Sequence, residues 1–251
     1  MMSRIFVLLV AFSALPAFGA ASKVQDIEAT AAGSATVDLV FAMDVTAGNC
    51  LVGGVAWISN TITLTSMVKQ AGTATVGATV LLNNPTTFST LTRGAMFVIP
   101  VTGSGTLTLR ATTSGTVTKY ALAHEATGVA AACTQVGASA MQAQTNPGTG
   151  SNALTSGTIG ATTASGDYVF GYFIDASGDS TTFTQGTGFT LAVVRTNVEF
   201  SEWSGSSAVT AATGTWTSAA ADAISGTVAI AAAAGVSGPP AGSRLRMGVG
   251  R

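Results

Sequence analysis

The chain has 251 residues, 47% of them hydrophobic and only 8% charged, and a net charge of −1. That apolar content is enough for a core and excludes a disordered chain, while the charged share falls far below the roughly 25% of ordinary soluble domains. Between Ser22 and Ser243 six Lys or Arg face eleven Asp or Glu, so a basic nucleic-acid-binding face is excluded as well.

The chain opens "MMSRIFVLLVAFSALPAFGAASK", which has the pattern of an export signal. Arg4 supplies the positive start, Ile5 to Leu15 the apolar stretch, and Pro16 ends it ahead of small residues. Two cleavage points satisfy the small-x-small rule, after Gly19 and after Ala21. The apolar run is short for a bilayer span, and no membrane span is expected in the mature chain. A secreted, periplasmic or cell-surface protein follows as the expectation. Residues 1–21 are expected as signal peptide, 22–236 as one domain, and 237–251 as a flexible basic tail holding Arg244, Arg246 and Arg251.

From about Thr36 to Ile230, β-branched residues alternate with small polar ones, broken by Gly, Ser, Asn and Pro clusters. This period of two predicts about a dozen short strands: "TVDLVFAMDV", "CLVGGVAWI", "TITLTSMV", "ATVGATVLL", "AMFVIPV", "TLTLRAT" and "VTKYALAHE", then "DYVFGYFID", "FTLAVVRT", "VEFSEWS", "GTWTSA" and "AISGTVAIA". Only "VAAACTQVGASAMQAQ" has room for a helical turn or two. The Gly-, Thr- and Ser-rich residues 144–166 read as a long crossover. The predicted class is all-β, an antiparallel sandwich of jelly-roll-like form.

In chain order stand "GNCLVGGVAWIS", "KYALAHEATGV", "ASGDYVFGYFIDAS" and "SEWSGSSAVTAATGTWTSAAADAISGTVAIA". Together they resemble a family of jelly-roll-like domains of bacterial secreted or surface proteins and phage virion proteins. Its motifs are G-N-L-L-V-V-x-V-x-W, A-x-E-x-x-G-V, G-D-L-V-V-G and a closing T-W…V-A-I strand pair. The resemblance covers roughly residues 36–233, and the sequence departs from it at Asp222-Ala223-Ile224, where the family often carries Trp. It implies a β-sandwich without a known catalytic set.

Few residues can do proton chemistry. His124 is the one histidine and Glu125 follows it; on a strand, neighbours point to opposite faces, so the two cannot act on one atom. The strand end at "ATGV" places the pair near a sandwich rim, and His124 is expected as a rim or satisfied histidine; catalysis would need a partner from elsewhere, such as Asp44, Asp175 or Glu202. No catalytic residue is assigned and no enzymatic activity is expected. A carbohydrate-active enzyme, the second alternative, needs two converging carboxylates, and "VEFSEW" places Glu199 and Glu202 three apart, on opposite faces of a regular strand.

Ligand contact, with weak glycan binding in view, is assigned to Trp203, Glu202, Tyr168 and Tyr172, because aromatic rings stack on sugars as readily as they fill cores. The turn "DASGDS" offers Asp175 and Asp179 as oxygen ligands for calcium; no other cofactor is expected. Cys50 and Cys133 can pair in an oxidising compartment. The expected role is a structural or adhesive extracellular protein, self-associating through a low-charge hydroxyl surface. The first alternative is a virion structural component, a capsid decoration or tail protein.

Overall fold

In a computed structural model the described residues are 20–87, 92–144, 150–175, 182–195, 199–205, 208–218 and 223–234. Residues 1–19 of the expected signal, the basic tail and Asp179 lie outside them. The protein is an all-β antiparallel sandwich, with strands but no helix among the described residues.

The first sheet holds β1 (Ser22–Val40), β2 (Cys50–Trp57), β3 (Leu64–Ala71), β4 (Thr75–Val76), β5 (Val80–Thr87), β6 (Arg93–Gly103) and β7 (Thr108–Thr127). The second orders β12 (Thr190–Arg195), β13 (Glu199–Ser204), β10 (Tyr168–Asp175), β15 (Ala223–Ile230) and β8 (Ala140–Gln144). The third places β14 (Thr213–Ser218) between β11 (Thr182–Gln185) and β9 (Gly150–Thr155).

Two of the strands are far longer than expected, 19 residues in β1 and 20 in β7. They pair along their whole length, with register shifts around Ala31 to Thr36. There the strand pair bends: the first half of β7 pairs with β3, and the second half with β2. The sheet thus curls over its own apolar face, enclosing Leu39, Trp57, Met67 and Phe97. Bulges of this kind are how long strands turn corners.

The other face of the first sheet packs on the second sheet through Val52, Leu122, Phe170, Tyr172 and Val228. The second sheet's far face packs on the third through Val169, Phe173, Phe183 and Trp216. Both faces of β10 are therefore covered, and all eight of its residues are buried, as two apolar stripes in one strand require.

Two expectations are corrected. The crossover at 144–166 contains β9, the edge of the third sheet, which pairs with β14 from Thr155↔Thr213 to Gly150↔Ser218. The segment offered for a helical turn forms isolated bridges, Val129↔Ala232 and Gln135↔Ile230, and then β8. Its Gly and Ala content lowers side-chain cost in either state, and pairing with β15 decides the outcome.

Cys50, at the start of β2, and Cys133 are joined by a disulfide across 83 residues. Cys133 has φ of +52°, an unusual value for a residue with a Cβ. A tight turn closed by Cys133 N–H donating to Ala130 O at 2.7 Å holds it there.

Candidate functional site

His124 sits in the layer between the first and second sheets, fully buried. Its Nδ1 is 2.8 Å from Tyr168 Oη and its Nε2 is 2.8 Å from Ser201 Oγ. In either neutral tautomer one ring nitrogen donates and the other accepts. Ser201 Oγ also accepts the Val193 N–H at 3.2 Å, and the Phe170 ring meets the imidazole edge-on at 4.8 Å. Burial, followed by the charge of Lys23, holds the His124 pKa well below its ordinary value. Burial likewise holds the Tyr168 hydroxyl well above its own.

A serine hydrogen-bonded to a histidine is the start of a nucleophile, but this one is sealed. Ser201, His124 and Tyr168 have no exposure, and none of them lines a described cavity. The arrangement ties β7 of one sheet to β10 and β13 of the other. His124 is thus a satisfied core histidine rather than a rim residue.

Glu125 points the opposite way, as strand alternation requires. It is buried and accepts from Gln25 Nε2 at 2.6 Å, Asn49 Nδ2 at 2.6 Å and Thr46 N–H at 2.8 Å. Gln25 also bonds both backbone groups of Met43. The carboxylate therefore anchors the segment between β1 and β2, which includes the exposed Asp44. Gln25 and Asn49 carry no sequence signal for this role, because they are set by pairing across distant strands.

Glu202 lies on the far face of β13, toward the third sheet, and is fully buried. Opposite it in register is Gly171 of β10. A Cβ at that glycine would stand 2.7 Å from Glu202 Cγ, so only glycine admits the carboxyl. Glu202 Oε2 accepts the Gly186 N–H at 2.9 Å, while Oε1 has no partner among the described residues. Burial pushes its pKa up to about 8, against the pull of the Gly186 and Thr213 backbone groups. At neutral pH the group is mostly a neutral carboxylic acid.

Gly186 and Thr213, which hold Glu202 from one side, line an open groove of about 560 Å³ on the other. The groove runs over the outer face of the third sheet, walled by Thr155, Thr184, Gln185, Thr187 and Thr215. In "TGTWTS" the alternation turns Gly214 and Trp216 inward and leaves Thr213, Thr215 and Thr217 exposed. Thr182 and Thr184 stand beside them, paired with Thr217 and Thr215, and Thr182 Oγ1 is 3.1 Å from Thr217 Oγ1. None of the described residues lining the groove has an ionisable side chain.

The residues assigned to ligand contact are thus scattered. Tyr168 and Tyr172 have no exposure and serve as core. Trp203 is partly buried, stacks on Tyr168 at 5.7 Å between ring centroids, and lines a separate pocket of about 270 Å³ with Ala20, Ala21, Ser22 and Thr190. Asp175 ends β10 and is buried; Asp179 falls outside the described residues. Among the described residues no three His, Cys, Asp or Glu side chains gather as a metal ion would need, and no helix is long and apolar enough to cross a membrane. Comparison with family models, with curated proteins and with solved structures returns no match.

Proposed function

We propose that this is a non-catalytic, exported β-sandwich with a structural or adhesive role, of the jelly-roll-like kind its motifs resemble, and that its threonine groove contacts a neutral glycan. The groove carries the reading. It is the size of an ordinary small-ligand site, and it offers rows of hydroxyls, Gln185 and backbone groups with no charge to pair with an ionic ligand. A polyhydroxylated, uncharged chain is the partner that such a surface satisfies. Export is supported by the signal-like start and by the disulfide, which persists in oxidising compartments. The non-catalytic reading is supported by the sealing of His124 and Ser201 away from solvent.

Glycan-array binding of the mature chain tests this directly. Binding to neutral oligosaccharides is expected, and Thr215→Val, which removes one hydroxyl on an exposed strand, should weaken it by about five- to tenfold without lowering the melting temperature. Binding confined to charged glycans, or none to any glycan, would remove the groove from the reading.

A further inference from the structure

The sequence leaves two cleavage points for the export signal, after Gly19 or after Ala21, and the fold distinguishes them. Ala21 is 2% exposed and belongs to the core between the first and second sheets. Its N–H donates to Gly166 O at 3.3 Å, and Gly166 N–H donates to Gly205 O at 3.1 Å, so three separate segments meet at this point. Gly205 has no side chain because Ala21 occupies the space: a Cβ there would stand 1.9 Å from Ala21 O. Ala20, one residue earlier, is exposed.

We infer that processing cuts the Gly19–Ala20 bond, so that the mature chain begins at Ala20 and keeps Ala21 as a wedge against Gly166 and Gly205. The inference rests on the export reading given above. The peptidase meets the chain before it folds, so the fold does not direct the cut; it records which product the rest of the sequence is built around. A cut after Ala21 would remove the wedge and place a new ammonium on Ser22, which is already half-buried at the start of β1. Desolvating that charge is unfavourable. A cut after Gly19 places the ammonium on an exposed residue. It also preserves the wall of the Trp203 pocket, which Ala20 and Ala21 form opposite Gly188 and Thr190.

The experiment is N-terminal sequencing and intact-mass measurement of the chain expressed from Met1 in an exporting bacterium and recovered outside the cytoplasm. An Ala20 start is expected. A Ser22 start, or an uncut chain outside the cytoplasm, overturns the inference while leaving export intact, and an uncut chain found only in the cytoplasm overturns it together with the export reading. As a second measurement, chains released at Ala20 and at Ser22 from a cleavable fusion are melted side by side. The Ser22 chain should melt about 5 °C lower, with Trp203 emission shifted to the red as its pocket loses a wall. Equal melting and equal emission would show that Ala21 is no wedge and overturn the inference.

Discussion

The two layers that sandwich β13 each bury an ionisable side chain, and they treat it differently. Toward the first sheet, His124 finds Tyr168 and Ser201 at 2.8 Å each and is fully satisfied. Toward the third sheet, Glu202 has one oxygen bonded and one without a partner, and Ser204 and Ser225, also buried, have hydroxyls in the same condition among the described residues. The first layer is crossed by a disulfide and by the edge-on contact of His124 with Phe170; the third sheet has three short strands. Satisfied polar networks rigidify a core, and incomplete ones are costly. The sandwich therefore has a rigid half and a less well satisfied half, and the open groove belongs to the second.

The disulfide gives the largest expected effect on this contrast. Cys50 and Cys133 both belong to the first layer's core, and closing 83 residues stabilises by about 4.5 kcal/mol in the chain-entropy model. The Cys50→Ala/Cys133→Ala chain, compared with the parent by guanidinium titration, should lose about that much. A loss below 1 kcal/mol would mean that the first layer does not depend on this cross-link.

The His124 relay comes next. His124→Leu leaves Tyr168 Oη and Ser201 Oγ without their shared partner, and about 3 kcal/mol of destabilisation is expected. Adding Tyr168→Phe and Ser201→Ala removes the stranded groups and should recover most of it, because replacing all members of a buried network by apolar groups is far milder than removing one. If the triple variant is as unstable as the sum of the single ones, the three side chains do not act as a unit.

Much of this contrast was legible in the sequence, and the rest was not for physical reasons. Strand alternation alone separates His124 from Glu125 and turns Thr213, Thr215 and Thr217 away from Trp216. Alternation also puts Tyr168 and Tyr172 on one stripe of a strand whose other stripe, with Val169 and Phe173, is apolar too, the pattern of a strand covered on both faces rather than of a binding platform. What alternation cannot give is the partner across the layer: Ser201 and Tyr168 reach His124, and Gln25 and Asn49 reach Glu125, only because distant strands pair in one register. β9 carries no strand signal of its own: "GSNALT" has turn-like composition and is held as a strand by β14. The burial of Glu202 did leave a signal, Gly171 in the middle of an otherwise bulky strand, since an interior strand glycine marks a close approach.

Glu202 sharpens the comparison further through pH. Its folded pKa of about 8 lies above the ordinary 4.5, so the folded state holds the proton more tightly. Its contribution is complete below pH 4.5 and is lost by about 1.4 kcal/mol per unit as pH rises toward 8. His124 has the opposite sign. Its folded pKa lies well below 6.5, the unfolded chain binds the proton more tightly, and stability falls as pH drops below 6.5. Just below pH 6.5 the two slopes oppose one another, and between 6.5 and 8 Glu202 acts without His124. The parent chain should therefore change less steeply just below pH 6.5 than above it, where it loses stability. Glu202→Gln, which keeps the shape without the ionisation, should abolish the decline above pH 6.5 and uncover an acid-side loss belonging to His124. Denaturant midpoints at half-unit steps from pH 4.5 to 8.5 read both slopes, and a Glu202→Gln chain that still declines above 6.5 would place the titrating group outside the layer beneath the groove.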